Sequence, residues 1–235
     1  MKLDLNIEKS DSTLPFQFKV DRMINAGYVG RNVKAVKAHI EELAKEGVPA
    51  PPEVPMVFPV LSHNITTAKE IEVVGDKTSG EAEFVLLLNE DKIYVAVGSD
   101  HTDREVETVS IIKSKQVCYN LLSKNVWDYE DIKQDWDKLE IQSWVKPIGS
   151  DEEILYQKAL LETIISAEDI IKLVGSKLID KQMDGMVIFS GTIPFLTNDM
   201  ICGHYFRSEL INKKTGGRLT CAYNVKKITY LENTG

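Results

Sequence analysis

The sequence predicts a strand-rich α+β fold. Segments of alternating or continuous apolar residues, bounded by glycine, proline or serine turns, recur along most of the chain, as is typical of β-strands. Helical periodicity is clearest in one early segment, residues 33–46. The chain has 235 residues, of which 43% are hydrophobic and 27% are charged, so it can form a substantial globular core.

Two strands are predicted at the start of the chain, over residues 2–7 and 15–20, with a Ser-Asp-Ser turn between them. Five prolines between residues 48 and 59 make that segment extended and non-helical. Residues 56–61 and 70–74 are predicted to form short strands that lead into a central hairpin.

A helix is predicted over residues 33–46, with Asn32 as its N-cap and Gly47 as the residue that ends it. It carries His39 and Glu42, which are three residues apart and therefore neighbours on one flank of the apolar stripe. One interpretation is a boundary histidine paired with a helix carboxylate. The other is a catalytic dyad, in which Glu42 orients His39 as a general base. The helical pattern leaves both interpretations open.

Residues 80–105 predict a hairpin with carboxylates at its open end. Glu81 and Glu83 are two apart in the first strand and share a face. The strand then becomes apolar on both faces, as in a strand buried inside a domain, and two like charges at a core's edge need a compensating charge. If the chain turns at residues 89–91, Asp100 returns beside them. Three carboxylates would then form a hard-oxygen site for Mg²⁺, Mn²⁺ or Ca²⁺. The alternative is a solvated strand edge.

The second half of the chain mixes helices and strands. A helix is predicted within residues 106–122, followed by a strand at 139–145 and helices at 152–165 and 168–174. The remaining segments return to strands, at residues 186–190, 202–211 and 218–228.

A glycine-threonine pair, Gly191 and Thr192, follows the buried strand at residues 186–190. Backbone N–H groups just past such a strand can bind a carboxylate or a phosphate. The alternative is a plain turn.

Charge and composition exclude several classes of partner. The net charge of −8 argues against nucleic acid and anionic membranes, which favour basic surfaces. There is no long apolar run and no apolar signal core near residue 1, so a cytoplasmic location is expected. The three cysteines, Cys118, Cys202 and Cys221, are widely spaced and are expected to be reduced thiols.

In combination, these motifs resemble the fumarylacetoacetate hydrolase superfamily, and within it a branch whose members are mostly of unknown function. The metal signature of that superfamily is similar to Glu81-Ala82-Glu83 followed by residues 100–104, Asp-His-Thr-Asp-Arg. Its helical His-x-x-Glu resembles His39 and Glu42. Further matches to the family pattern are Gly27-Tyr28, Trp144, Gly149, Gln157 and residues 190–194.

The resemblance implies a mixed β-sandwich roll with peripheral helices, formed by one domain over residues 1–235 in which residues 1–23 are an N-terminal strand extension. It also implies a homodimer. The implied function is a divalent-metal-dependent hydrolase or lyase that cleaves a C–C bond in a small 2-oxo or 1,3-dicarbonyl acid. The alternatives are a hydratase or isomerase of a related enol acid and a non-catalytic protein that binds small acids.

The resemblance also implies roles for particular residues. Glu81, Glu83 and Asp100 would bind Mg²⁺, or Mn²⁺ or Ca²⁺ in its place. The catalytic residues would be His39, Glu42 and Lys115, with Lys113 as the alternative lysine. A small anionic substrate would be bound by Arg104, Gly191, Thr192 and Tyr28. Arg31 is added to the substrate-binding residues for its positive charge.

Overall fold

The computed structural model describes residues 1–45, 50–197 and 199–231, apart from the side chains of His39, Glu42 and Leu43. Strands dominate it, in agreement with the predicted fold class. The strands are β1 (Lys2–Glu8), β2 (Thr13–Lys19), β3 (Arg22–Gly27), β4 (Met56–Val60), β5 (Ile65–Thr66), β6 (Glu70–Val73), β7 (Thr78–Ser79), β8 (Ala82–Asn89), β9 (Lys92–Asp100), β10 (Thr102–Asp103), β11 (Asn120–Leu122), β12 (Asn125–Asp128), β13 (Glu140–Pro147), β14 (Ile154–Leu160), β15 (Met186–Phe189), β16 (Gly203–Asn212) and β17 (Gly217–Lys227).

The helices are short and lie around the sheets. They are α1 (Val33–Lys45), α2 (Arg104–Val109), α3 (Ile111–Val117), α4 (Tyr129–Ile132) and α5 (Ala167–Lys177). The predicted N-cap of α1 is confirmed, because the Asn32 side chain accepts hydrogen bonds from the N–H groups of Lys34 at 3.1 Å and Ala35 at 3.2 Å. Gly47, which was predicted to end this helix, lies outside the described residues. None of the described helices has the length and apolar character needed to cross a membrane.

The largest sheet has the strand order β2-β1-β12-β9-β8-β15-β3-β4, with β5 and β11 joined at its side. It is mixed, because β1 pairs with β12 and β15 with β3 in parallel, whereas β8 and β9 form an antiparallel hairpin. The β1–β2 hairpin, predicted as an N-terminal extension, forms one edge of this sheet. Strand β8 is central and apolar on both faces because it is covered on both sides.

A second sheet has the order β14-β13-β16-β17-β6, and the main core lies between the two sheets. Phe84 and Leu86 of β8 enter this core together with Phe206 and Leu210 of β16. The opposite face of β8, with Val85 and Leu87, packs in a second cluster with β1 and β2. Two curled mixed sheets with helices around them agree with the predicted β-sandwich roll.

Two predictions of helices are wrong. Residues 154–160 form the edge strand β14, which pairs with β13, and not part of a helix over residues 152–165. The segment contains good helix formers, but pairing with β13 buries Tyr156 and Gln157 on the sheet, and tertiary contacts override propensity. The predicted helix within residues 106–122 is instead two helices, α2 and α3, which are separated at Ser110 by an extended residue with φ −163°.

Candidate metal centre and active site

The β8–β9 hairpin brings three carboxylates together at its open end. Ala82 pairs with Ser99 in register, and the N–H of Asp100 donates to the carbonyl oxygen of Glu81 at 3.2 Å. One carboxylate oxygen from each of Glu81, Glu83 and Asp100 lies within 4.8 Å of the other two. The predicted convergence of the three side chains is therefore confirmed.

Burial makes this cluster unstable without added positive charge. Glu83 and Asp100 are 1% and 0% exposed. Burial and the neighbouring Asp100 raise the pKa of Glu83 well above its usual value. Burial is also the main cause of the raised pKa of Asp100, although Lys115 opposes it. Asp100 Oδ1 makes no hydrogen bond of normal geometry among the described residues, although the Asn25 side chain is close enough to lower the pKa of Asp100. Three carboxylate oxygens that converge in this way are a donor set that suits a hard divalent cation.

Two buried cations partly balance the three carboxylates. The Lys115 ammonium, on α3, donates a hydrogen bond to Asp100 Oδ2. Burial disfavours its charged form, but Asp100, Glu81 and Glu83 outweigh burial and raise the pKa of Lys115. Lys113, the alternative lysine, is exposed. The structure therefore places Lys115 in the cluster and Lys113 in solvent.

Arg104, at the start of α2, is the second cation. Its Nη2 lies 3.0 Å from Glu81 Oε1, its Nη1 donates to Glu107 at 2.8 Å and its Nε donates to Ser79 at 2.8 Å. Burial opposes the charge, yet Glu81 and Glu107 raise the pKa of the guanidinium. Protein groups thus accept hydrogen bonds from Nε and Nη1 of Arg104, whereas Nη2 forms an ion pair with Glu81. The contact of Arg104 with a substrate carboxylate stays a prediction.

The backbone N–H of Gly191 donates to Glu83 Oε2 at 2.8 Å. The prediction that this N–H is free for a substrate is therefore wrong: it holds a carboxylate of the protein. The turn after β15 aims the N–H at Glu83, and Gly191 has φ +85° there, a conformation that L side chains rarely adopt. A Cβ at this position would also lie 2.8 Å from Val29 Cγ2.

Gln157, on β14, holds the first residue of β8 through hydrogen bonds. Its Oε1 accepts from the N–H of Ala82 at 3.0 Å and from Ser143 at 2.8 Å. Its Nε2 donates to Thr192 Oγ1 at 2.8 Å and to the carbonyl oxygen of Ile193 at 2.7 Å. The Thr192 hydroxyl donates in turn to the carbonyl oxygen of Ala82 at 3.0 Å. Gln157 and Thr192 therefore hold Ala82, the residue between Glu81 and Glu83, by its N–H and its C=O.

A further buried network was not predicted from the sequence. The His101 ring nitrogens lie 2.9 Å from Tyr223 Oη and 2.9 Å from Thr78 Oγ1. Tyr223 Oη lies 2.8 Å from Ser99 Oγ, which accepts from the N–H of Glu81 at 3.2 Å. Burial lowers the pKa of His101 to about 3, so the ring is neutral at physiological pH. This network joins residues from β7, β9 and β17 to the backbone of Glu81, and no local motif could have indicated it.

Tyr28 and Arg31, predicted to bind substrate, have different positions. Tyr28 is half-buried with φ +58°, and burial with the charges of Glu107 and Glu81 raises its pKa, while Lys115 lowers it. The Arg31 guanidinium donates instead to Asp137 at 2.9 Å and to the carbonyl oxygen of Ile164 at 2.6 Å. Neither partner belongs to the carboxylate cluster, so the structure does not bring Arg31 to it.

The predicted dyad is on α1, but the side chains of His39 and Glu42 lie outside the described residues. Their roles remain predictions. The described residues themselves offer three carboxylates for a cation and a lysine ammonium beside them. Such a set can bind a small chelating acid and stabilise negative charge that develops on it.

A family model described as "Protein of unknown function (DUF2848)" matches residues 26–223. No curated protein matches the chain in sequence.

Several solved structures share the fold. One is a 2-keto-3-deoxy-D-arabinonate dehydratase complexed with magnesium and 2,5-dioxopentanoate, with TM-score 0.61 and 17% identity over 93% of this chain and 77% of that chain. Another is a fumarylacetoacetate hydrolase from Exiguobacterium antarcticum, with TM-score 0.60 and 11% identity over 94% and 80% of the two chains. A third is a 4-oxalocrotonate decarboxylase from Pseudomonas putida G7 complexed with calcium and acetate, with TM-score 0.52 and 11% identity over 87% and 76%. The resemblance stated from the motifs is therefore confirmed at the level of the fold.

Proposed function

We propose that this chain, which belongs to the DUF2848 family of proteins of unknown function and has the fold of the fumarylacetoacetate hydrolase superfamily, is a divalent-metal-dependent hydrolase or lyase. The proposed substrate is a small 2-oxo or 1,3-dicarbonyl acid, in which a C–C bond is cleaved. The observation that supports this most is the convergence of the carboxylates of Glu81, Glu83 and Asp100, of which the last two are fully buried. Related folds whose structures contain magnesium or calcium agree with a metal at such a site.

We infer that Glu81, Glu83 and Asp100 hold Mg²⁺, with Mn²⁺ or Ca²⁺ as substitutes. When bound, the cation supplies Lewis acidity to the carboxylate and keto oxygens of a 2-oxo acid. Lys115 contributes a fixed positive charge where an enolate would develop as the C–C bond breaks. Because Lys115 is buried and its charged form is favoured, its charge needs no reorganisation during the reaction.

The proposed hydrolytic step uses His39 and Glu42. Glu42 orients the imidazole, and His39 removes a proton from a water molecule that attacks the distal carbonyl carbon. The C–C bond then breaks, its electron pair forms the enolate, and a proton returns to the carbon. We expect His39→Ala to abolish turnover and to leave metal affinity within about twofold of wild type. Loss of metal binding in this variant would show that His39 supports the fold instead.

A second candidate is a hydratase or isomerase of a related enol acid. The likeness in fold to a 2-keto-3-deoxy-D-arabinonate dehydratase favours it, because elimination of water from a 2-oxo acid passes through the same kind of enolate. A non-catalytic protein that binds small acids would keep the carboxylate cluster but would not need the dyad. We also propose a cytoplasmic homodimer without nucleic-acid or membrane partners, in keeping with the net charge of −8.

The deciding experiment is a screen of short 2-oxo acids and acylpyruvates with Mg²⁺, Mn²⁺ or Ca²⁺, in which loss of enol absorbance reports turnover and calorimetry reports binding. We expect turnover that stops on chelation and in Asp100→Asn. Metal-dependent binding without turnover would support the non-catalytic alternative. If no acid binds or reacts with any of these metals, the proposed function is wrong.

A further inference from the structure

An apolar groove lies beside the cluster and has no role in the chemistry described above. Its volume is about 390 Å³, and of its ten described lining residues nine are apolar and the tenth is Ser110. It is bounded by the proline-rich segment before β4, by β4 itself and by the junction of α2 and α3. Val109 and Ile112, on its rim, are 79% and 45% exposed. Apolar side chains gathered around a concavity are typical of a site for a small apolar group.

The groove and the cluster share two elements. On α3, Ile111 lines the groove and Lys115 contacts Asp100. They are four residues apart, so they lie on the same helix face one turn apart. On β4, Phe58 lines the groove, and the Lys115 ammonium lies 6.0 Å from the centre of its ring. The groove therefore begins within one helical turn of Lys115.

The distribution of charge separates the two regions sharply. The cluster contains three carboxylates and two cations, whereas no charged residue is among the described lining of the groove. A ligand that fits both regions has an anionic, chelating end and an uncharged hydrocarbon end. The volume of the groove is near the lower limit for ligand pockets, which fits a short chain or a ring better than a helix of another protein.

We propose that this groove binds the hydrocarbon tail of the substrate, so that the protein acts on 2-oxo acids whose far end is apolar. This inference rests on the proposed function, because the cluster must hold the acid end. The acid end would be held by a divalent cation at Glu81, Glu83 and Asp100 and by Lys115. Its tail would extend past Phe58 toward Ile111 and Ile112. Tails that carry a charge or several hydroxyl groups are disfavoured, because the groove offers them almost no polar partner.

The test measures dissociation constants for 2-oxo acids of increasing length by calorimetry in the presence of Mg²⁺. The series is pyruvate, 2-oxobutanoate, 2-oxopentanoate, 2-oxohexanoate and 2-oxooctanoate. We expect the dissociation constant to fall about fourfold for each added methylene until the groove is filled. In the double variant Val109→Asn, Ile112→Asn, the gain in affinity for each added methylene should be less than twofold, and the affinity for pyruvate should be unchanged. Both positions are exposed, so the fold should tolerate the change.

The matched control is Val117→Asn, at the other end of α3. Val117 is 54% exposed and is not among the residues that line the groove, so this variant should keep the dependence on length of the wild type. A flat series in the wild type, or equal loss in the double variant and the control, would overturn the assignment of the tail site.

Two other outcomes separate the possible failures. If pyruvate binds with Mg²⁺ but longer acids bind no better, the tail site is wrong and the proposed function stands. If no 2-oxo acid binds, the proposed function and this inference both fail. If the groove is covered by a second copy of the chain, the double variant will lower the mass found by light scattering and the length series will be flat, which also overturns the inference.

Discussion

Lys115 shows how one buried cation determines the electrostatics of the site. The resemblance implied Lys115, with Lys113 as the alternative, because the family pattern asks only for a lysine after the Asp. Because residues 113 and 115 are two apart in α3, they lie on opposite sides of the helix, with Lys115 against Asp100 and Lys113 in solvent. Removing one partner of a buried charge cluster is strongly destabilising, since the remaining charges lose their compensation.

We therefore predict that Lys115→Met destabilises the metal-free protein by roughly 3 kcal/mol, or roughly 6–12 °C in Tm. Saturating Mg²⁺ should restore much of this loss, because the cation replaces the missing charge. Thermal unfolding with chelator and with Mg²⁺ measures both effects. Lys113→Met, two residues away and exposed, is the control and should stay within about 0.5 kcal/mol of wild type. Equal losses in the two variants would contradict the role given to Lys115.

Gly191 has a positive φ, and its N–H also positions Glu83, a proposed metal ligand. We predict that Gly191→Ala lowers the stability by about 2–3 kcal/mol, because of its positive φ and the close contact with Val29. Because the N–H of Gly191 holds Glu83, the affinity for Mg²⁺ should also fall by about tenfold or more.

Gly216→Ala is the matched control for this prediction. Gly216 has φ +78°, but no atom lies within 4 Å of the position that its Cβ would take. The Gly216→Ala variant should lose about 1 kcal/mol of stability and keep the affinity of the wild type for Mg²⁺. Calorimetric titration of both variants measures the difference, and an unchanged Mg²⁺ affinity in Gly191→Ala would disprove the positioning role.

At the scale of elements, β14 is where the sequence is most misleading. Residues 152–165 contain Glu, Leu, Gln, Lys and Ala, which favour a helix in isolation, and a helix was predicted there. The strand forms because β13 offers a pairing edge and the core accepts Tyr156, which is not a local property. The wrong helix prediction affects the site directly. Only as part of a strand does Gln157 reach Ala82, the residue between Glu81 and Glu83.

We predict that Gln157→Ala destabilises the protein by about 3 kcal/mol. The substitution removes the partners of the Ala82 N–H, the Ser143 hydroxyl and the Ile193 carbonyl, and each unpaired buried group costs about 1–3 kcal/mol. Urea unfolding measures the change. Lys158→Ala, the next residue on β14 and exposed, should change stability by less than about 0.5 kcal/mol. A loss below 1 kcal/mol for Gln157→Ala would mean that water replaces the side chain.

At the scale of the whole molecule, the features that could be predicted are those that depend on the local sequence pattern. The hairpin β8–β9 follows from a continuous apolar run and a turn, and Glu81 and Glu83 share a face, so the convergence of Glu81, Glu83 and Asp100 was predictable from about twenty residues. The contacts that surround this convergence were not, because Gly191, Gln157 and Tyr223 come from distant strands whose order depends on the pairing of the whole sheet. Arg31 was predicted at the site for its charge alone, and the packing against Asp137 and Ile164 places it elsewhere.

Metal binding should stabilise the whole fold. If the cluster binds Mg²⁺ in the native state only, a concentration one hundred times the dissociation constant adds about 2.7 kcal/mol, or about 5–11 °C in Tm for a chain of this size. Thermal unfolding with MgCl₂ and with KCl of equal ionic strength measures this. Glu83→Gln removes one of the proposed metal ligands, so its Tm should be the same in MgCl₂ and in KCl. An equal Tm in the two salts for the wild type would count against a metal at this site.

The order of the charged groups along the chain has a consequence for synthesis. The carboxylates and their two cations all come from residues 81–115, one contiguous stretch, whereas the Gly191 N–H and the Tyr223 hydroxyl belong to segments made much later. At a translation rate of about 5–20 residues per second, roughly 5–20 s separate the emergence of Lys115 from that of Tyr223. During that interval the nascent chain carries all three acidic groups with their counter-charges but without the strands that enclose them. Lys115 and Arg104, which are made together with these acids, are thus the groups available to neutralise them before the sheets close.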